Sequence, residues 1–334
     1  MSFLDLKTIF RCSMVCRSFK QITIDPLLYV EINLKPYWHC TNTSLMNCLT
    51  RRARLVKKLD LSSCGLFNKI TANDFMEFIK ANGKTLTHLR LNSCKFLNNS
   101  CLELICLTCK NLKELTLRNY INIYETNSRD FQYIALLNKL EVLDFFRSGI
   151  DTIPLLNILK NNPHLKHLNL GFSSPNVNMD EIAVQISNYN KEIISIDMWK
   201  SHSLTAVGIC ALSNCHQLQE IDFGWCLREE SLPSESLKLL LQNCRNLRKI
   251  FLAAIRGLTE RDLENIAKYC TNLEQLDLMG IQGVSNDMVL KILQSCRRLK
   301  LFDLSFCDHL DDVQIMRWRH EFDVSIKRSE VPSD

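Results

Sequence analysis

Leu273, Leu276 and Leu278 form an L-x-x-L-x-L pattern that returns along nearly the whole of this 334-residue sequence. Cys270 precedes it, and a helix-like segment follows that ends at Cys296, where the pattern starts again. Its last apolar position recurs at Leu61, Leu91, Leu117, Phe145, Leu170, Met198, Phe223, Leu252, Leu278 and Leu304, at spacings of 25 to 30 residues. A unit of that length cannot bury its apolar face by itself, so successive units must stack on one another.

That period and motif are the signature of a leucine-rich repeat. The fold class they predict is α/β: a curved leucine-rich-repeat solenoid with a parallel concave sheet and outer helices, preceded by a short helical segment. Residues 73–82, 98–109, 203–215, 259–270 and 285–296 read as helices, each opening on a residue able to cap a helix N-terminus. Pro233 suits another helix start. Tyr29, Ile32 and Leu34 read as a first strand that caps the stack, and Pro36-Tyr37-Trp38 turns the chain out of it. Length alone argues for two domains, but a solenoid grows by adding units. The expected organisation is therefore a helical segment over 1–28, one solenoid over 29–326 and a loose polar tail over 327–334.

Apolar residues make up 46% and charged residues 23%, as in a folded soluble chain. No apolar run approaches the roughly 20 residues of a membrane helix. The formal charge of +5 is modest and gives no ground for a nucleic-acid partner. Sixteen cysteines invite a disulfide reading, but most occupy two repeating places. Cys109, Cys215, Cys244, Cys270 and Cys296 stand three residues before the first Leu of a strand, and Cys64, Cys94, Cys226 and Cys307 three residues after the last. Both places suit a small buried side chain, so these cysteines are expected to be reduced packing thiols in a cytoplasmic protein. An extracellular repeat receptor is thereby disfavoured.

Catalytic and metal motifs are missing. Cys101, Cys106 and Cys109 lie in one helix-like segment without a second C-x-x-C pair, and no H-E-x-x-H, G-x-G-x-x-G, phosphate-binding loop or G-x-S-x-G occurs. The chain is expected to be no enzyme, and to need no cofactor or metal.

Three separated pieces near the start occur in a telling order: Leu4-Asp5-Leu6, then Val15-Cys16-Arg17-Ser18-Phe19, then Asp25-Pro26-Leu27-Leu28-Tyr29. They resemble the latter part of an F-box. With the repeats behind them, the chain resembles the F-box and leucine-rich-repeat family. Tyr29-Val-Glu-Ile-Asn-Leu-Lys-Pro-Tyr-Trp38, Phe223-Gly-Trp-Cys226, Leu252-Ala-Ala-Ile255 and Asp303-Leu-Ser-Phe-Cys307 carry that likeness onward. The Leu-Pro opening and first helix of an F-box are not in the sequence, so a partial F-box is expected. Residues 1–20, rich in Ser, Lys and Arg with Asp5 their only acid, also have the composition of a mitochondrial presequence, but the F-box pieces account for them.

The resemblance implies a substrate-recognition adaptor of a Skp1-cullin-F-box (SCF) ubiquitin ligase, which brings a protein substrate to ubiquitination and proteasomal degradation. It implies Skp1 contacts at Leu4, Leu6, Ile9, Val15, Cys16 and Phe19, and through Skp1 a cullin-RING ligase. Within the family it further implies mitophagy receptors as substrates and a mitochondrial or nuclear association. The second reading is a repeat-only interaction module without ligase recruitment.

The alternation of strand side chains sets the expected substrate surface. With Leu276 and Leu278 inward, Gln275, Asp277 and Met279 face the concave side. The matching middle column is Asp60, Arg90, Thr116, Asp144, Asn169, Asp197, Asp222, Phe251, Asp277 and Asp303. Carboxylates at strand spacing repel one another and favour a basic partner. Phe146, Trp199, Trp225 and Met279 stand beside this column, and aromatic residues often carry interface energy. The expected substrate contacts are Phe146, Asp197, Trp199, Asp222, Trp225, Phe251, Asp277 and Met279. The basic clusters Lys57-Lys58, Arg248-Lys249 and Arg297-Arg298-x-Lys300 read as solvated loops.

Overall fold

The computed structural model describes all residues except 1–3, 66–68, 121–127, 227–233, 256 and 330–334. Pro233 lies outside the described residues. By its internal contacts the chain divides into two compact units, Met1–Gly149 and Ile150–Asp334. The N-terminal helical segment belongs to the first.

The first unit opens with two short helices, α1 (Leu6–Cys12) and α2 (Arg17–Ile22), within the helical segment expected over 1–28. Capping explains the break: Asp5 accepts from the Thr8 N–H at 2.8 Å to start α1, and Cys16 Sγ accepts from the Phe19 N–H at 3.5 Å to start α2. A 3₁₀ turn over Pro26–Tyr29 leads to β1 (Glu31–Asn33). Then α3 (Thr43–Arg52), β2 (Lys58–Asp60), α4 (Ala72–Asn82), β3 (His88–Arg90), α5 (Asn99–Thr108), β4 (Glu114–Thr116) and β5 (Val142–Asp144) alternate. The five strands are parallel and in chain order, with Ile32, Leu59, Leu89, Leu115 and Leu143 in register and buried.

The second unit repeats the scheme with α6 (Thr152–Asn161), β6 (His167–Asn169), α7 (Met179–Tyr189), β7 (Ser195–Asp197), α8 (Ala206–Leu212), β8 (Glu220–Asp222) and α9 (Ser234–Asn243). It ends with β9 (Lys249–Phe251), α10 (Glu260–Tyr269), β10 (Gln275–Asp277), α11 (Asn286–Ser295), β11 (Leu301–Asp303), α12 (Asp312–Glu321) and β12 (Ser325–Lys327). Here the buried register row is Leu168, Ile196, Ile221, Ile250, Leu276, Phe302 and Ile326. Helices turn an i, i+3, i+4 face onto this row, as in α11, which buries Met288, Val289, Ile292 and Leu293. Parallel strands alternating with helices in this way make the leucine-rich-repeat fold.

Caps lie close to where they were expected. Asn98, Thr259 and Ser285 open α5, α10 and α11, whereas α4 opens on Thr71, which forms a capping box with Asp74. Helix α8 begins later than residue 203, at the cap Thr205, because the Ser203 hydroxyl is engaged with the preceding repeat: it accepts from the Met179 N–H at 3.1 Å and donates to the Val177 carbonyl.

The cysteine places have a specific reason. Cys94, Cys226 and Cys307 donate their thiols to the Leu61, Met198 and Leu278 carbonyls of the preceding repeat at 3.0, 2.6 and 3.2 Å. Cys244 and Cys296 likewise reach back to the Cys215 and Cys270 carbonyls at 3.3 and 3.4 Å. In another repeat Asn190 fills that place, its amide donating to the Leu159 and Asn162 carbonyls at 3.1 and 2.7 Å. The slot demands a small donor rather than sulfur. Burial pushes the Cys226, Cys244 and Cys296 thiols up to about 12, so they are poor nucleophiles. All sixteen cysteines are free and eleven are buried. Ellman titration is expected to find sixteen thiols after denaturation without reductant, with Cys16, Cys40 and Cys210 reacting fastest in the native chain. A smaller denatured total would mean disulfides.

The end of the chain departs from the expected tail. β12 continues through Lys327, and Arg328 donates to Asp312 at 2.9 Å and to the Leu310 carbonyl at 3.1 Å. Ser329 Oγ accepts from the Phe306 N–H at 3.0 Å. These bonds satisfy backbone groups that the last repeat would otherwise leave open. Residues 330–334 lie outside the described residues.

Candidate functional site

Each unit carries one candidate interaction surface. In the first, the N-terminal segment is held by polar anchors. The Tyr37 hydroxyl donates to Asp5 at 3.1 Å, the Tyr29 hydroxyl to the Thr23 carbonyl at 2.7 Å, and Arg52 to the Tyr29 hydroxyl at 3.0 Å. Asp25 accepts from the Leu27 N–H at 2.9 Å and so starts the turn that brings Tyr29 inward. These bonds give the Asp25-Pro26-x-x-Tyr29 spacing its physical sense.

With the segment anchored this way, its apolar side chains are left outside. Met14 is 77% exposed, Val15 70% and Leu27 66%, and Leu4, Phe19, Ile22 and Ile24 are exposed as well. Of the residues expected to meet Skp1, Leu4, Val15, Cys16 and Phe19 are exposed and Leu6 is half-buried. Ile9 is only 3% exposed and packs inside the unit. A run of exposed apolar residues this dense on a short segment marks an interaction surface.

The second surface lies on the open face of the second unit's sheet. Its organising feature is a turn that the sequence pattern did not reveal. Two residues after the last apolar strand position, one residue per repeat takes the left-handed conformation: Ser63, Ser93, Asn119, Arg147, Phe172, Lys200, Trp225, Ala254, Gly280 and Phe306, with φ between 51° and 71°. Only one is glycine. The strain, on the order of 1 kcal/mol for a non-glycine residue, is offset by a ladder bond, as where the Lys200 N–H donates to the Gly224 carbonyl at 2.9 Å and the Trp225 N–H to the Ala253 carbonyl at 2.9 Å.

The aspartate column serves the same turn. Asp60, Asp144, Asp197, Asp222, Asp277 and Asp303 each accept, through Oδ1, the N–H two residues on, at 2.8 to 3.1 Å. Asn169 does so at 2.9 Å and donates to Asp197 Oδ2 at 2.7 Å. The recurrence of Asp at this place is therefore structural first. Burial, reinforced by the neighbouring Asp197 carboxylate, pushes Asp222 up to about 7, and Asp277 is also raised, chiefly by burial. The column carries less charge at neutral pH than a count of aspartates suggests.

Of the expected substrate contacts, Phe146 stands in the first unit, half-buried, with the Arg118 guanidinium 4.9 Å from its ring centroid. Asp197, Asp222, Phe251 and Asp277 occupy one register row of the second unit. Met279 and Trp199 are half-buried beside them, and Trp225 is 44% exposed. Sequence reasoning missed Phe172 and Lys200. The Phe172 and Trp199 ring centroids are 6.1 Å apart, and Lys200 Nζ lies 4.4 Å from the Trp199 centroid and 5.1 Å from that of Trp225. Their common feature, two places after the strand's last apolar position for Phe172 and Lys200, was readable only once the turn was known. Among the described residues no group of His, Cys, Asp and Glu is arranged to hold a metal ion, and no helix is long and apolar enough to cross a membrane.

Comparison with known proteins meets this geometry at the N-terminus. Residues 1–35 match an F-box-like family model. The chain is also 35% identical over 268 residues to bovine (Bos taurus) F-box/LRR-repeat protein 4, a match that takes in 80% of this chain and 42% of that protein. It thus spans less than half of the relative's length. A chain of the yeast Rad7 and Elc1 complex shares the fold with a TM-score of 0.51 at 16% identity, covering 97% of this chain and 98% of its own. The chain resembles F-box and leucine-rich-repeat proteins in both its parts.

Proposed function

We propose that this chain is the substrate-recognition adaptor of an SCF-type ubiquitin ligase, binding Skp1 through the N-terminal segment and a protein substrate through its repeats. The observation that carries the reading is the exposed apolar set Met14, Val15, Phe19 and Leu27 on a segment that matches an F-box-like model. Exposure of such side chains costs hydration free energy unless a partner covers them. In this reading the chain contributes recognition and no covalent chemistry, and ubiquitin transfer and proteasomal degradation follow from its partners. A mitophagy receptor as substrate, with mitochondrial association, extends the proposal on the resemblance alone.

Calorimetric titration with purified Skp1 tests it. The chain is expected to bind at micromolar affinity or tighter, and Val15→Asp to weaken binding by at least about ten-fold, since a charge would be buried in an apolar contact. Val15 is 70% exposed, so the variant is expected to keep its circular dichroism. A folded chain that does not bind Skp1 would favour the second reading, a repeat-only interaction module. The burial of Ile9 within its own unit speaks for that alternative, because it removes one side chain from the surface.

A further inference from the structure

Phe172, Trp199 and Trp225 come from three consecutive repeats of the second unit and converge on one amine. Lys200 Nζ lies 4.4 Å from the Trp199 ring centroid, 5.1 Å from that of Trp225 and 5.8 Å from that of Phe172. Phe172 and Trp225 stand at the left-handed turn position, with φ of 58° and 61°, and are 43% and 44% exposed. Packing gives no reason for large rings there, because Ser93, Ala254 and Gly280 make the same turn in other repeats. An exposed aromatic at a strained position bears both the backbone cost and the cost of hydrating its ring.

The seat of Trp199 is equally specific. A Cβ at Gly224 would come within 3.1 Å of Trp199 Cδ1 and 3.2 Å of Asp222 Oδ1, so the bare backbone there makes room for both the indole and the carboxylate. Asp197 and Asp222 are paired in register directly before the turns that carry these rings. Aromatic faces beside carboxylates form a receptor for a cation, and Lys200 shows that the rings accept one.

We propose that this cluster is a docking site for a lysine or arginine side chain of a basic partner segment, with Lys200 as a built-in plug that the incoming cation displaces. The proposal deepens the adaptor reading by naming the chemistry of what the repeats hold, and it rests on that reading for its biological role. Binding itself is testable without Skp1, so failure of one leaves the other standing.

The test is fluorescence anisotropy of the full chain with a fluorescein-labelled peptide of alternating Leu, Lys and Arg, beside a counterpart with Glu at every basic position. The basic peptide is expected to bind in preference. Trp225→Ala, which copies the turn residue that Ala254 supplies in the next repeat, should weaken it about ten-fold. Lys200→Met should tighten it roughly three- to five-fold by removing the competing amine. Three results would overturn the proposal: unchanged affinity in Trp225→Ala, weaker binding in Lys200→Met, or preference for the acidic peptide. Absence of binding by both the natural chain and Lys200→Met would do the same.

Discussion

Leu276→Ala is expected to destabilise the second unit by roughly 2–5 kcal/mol. The side chain is fully buried and stands in register between Ile250 and Phe302. Truncation loses the transfer free energy of three carbons and leaves a cavity whose walls belong to neighbouring repeats. Those walls are strands tied by ladder bonds on both sides, so they cannot collapse into the space. Each repeat is stable only through its neighbours, and the loss therefore weakens two interfaces at once. Urea denaturation followed by circular dichroism measures it. A loss below about 0.5 kcal/mol would mean that Leu276 is not in the core row.

Asp222→Asn is expected to stabilise the protein at alkaline pH and to do little in acid. Burial and the Asp197 carboxylate raise Asp222 from an ordinary value near 3.8 to about 7. The folded chain thus retains a proton that the unfolded chain releases. The corresponding contribution to stability is complete below about pH 4, declines as the pH rises towards 7 and is lost above it. Asparagine keeps the oxygen that accepts the Gly224 N–H, now at 2.9 Å, and removes the charge. Asn169 already fills this place two repeats earlier, accepting the same turn bond and donating to Asp197. The variant should exceed the natural chain by about 2 kcal/mol at pH 8, a gain discounted for the partial exposure of the group. Denaturation midpoints at pH 4 and pH 8 decide the matter. A difference that does not change with pH would show that Asp222 is ionised without penalty.

The architecture was legible because its cause is local and repeated. Leu59, Leu115, Leu168 and Leu276 had to face one side of their strands, and the caps Asn98, Thr259 and Ser285 act on the very next turn of chain. The cysteine places were also readable, although the thiol-to-carbonyl bonds behind them were not.

For the candidate surfaces the division is sharper. Residue order by itself determined which side chains stand on the open face of a strand, because alternation is a property of the extended backbone. It also determined the F-box-like spacing, since Asp25 and Tyr29 act within a few residues of themselves. Only the tertiary structure decided that Ile9 turns inward while Val15 stays out, that the aspartates spend an oxygen on their own turns, and that Phe172, Trp199 and Trp225 surround Lys200. The physical reason is twofold: Phe172 and Trp225 meet Lys200 from 28 and 25 positions away along the chain, and the aspartate bonds, though only two residues long, close a left-handed turn that no local sequence preference announces.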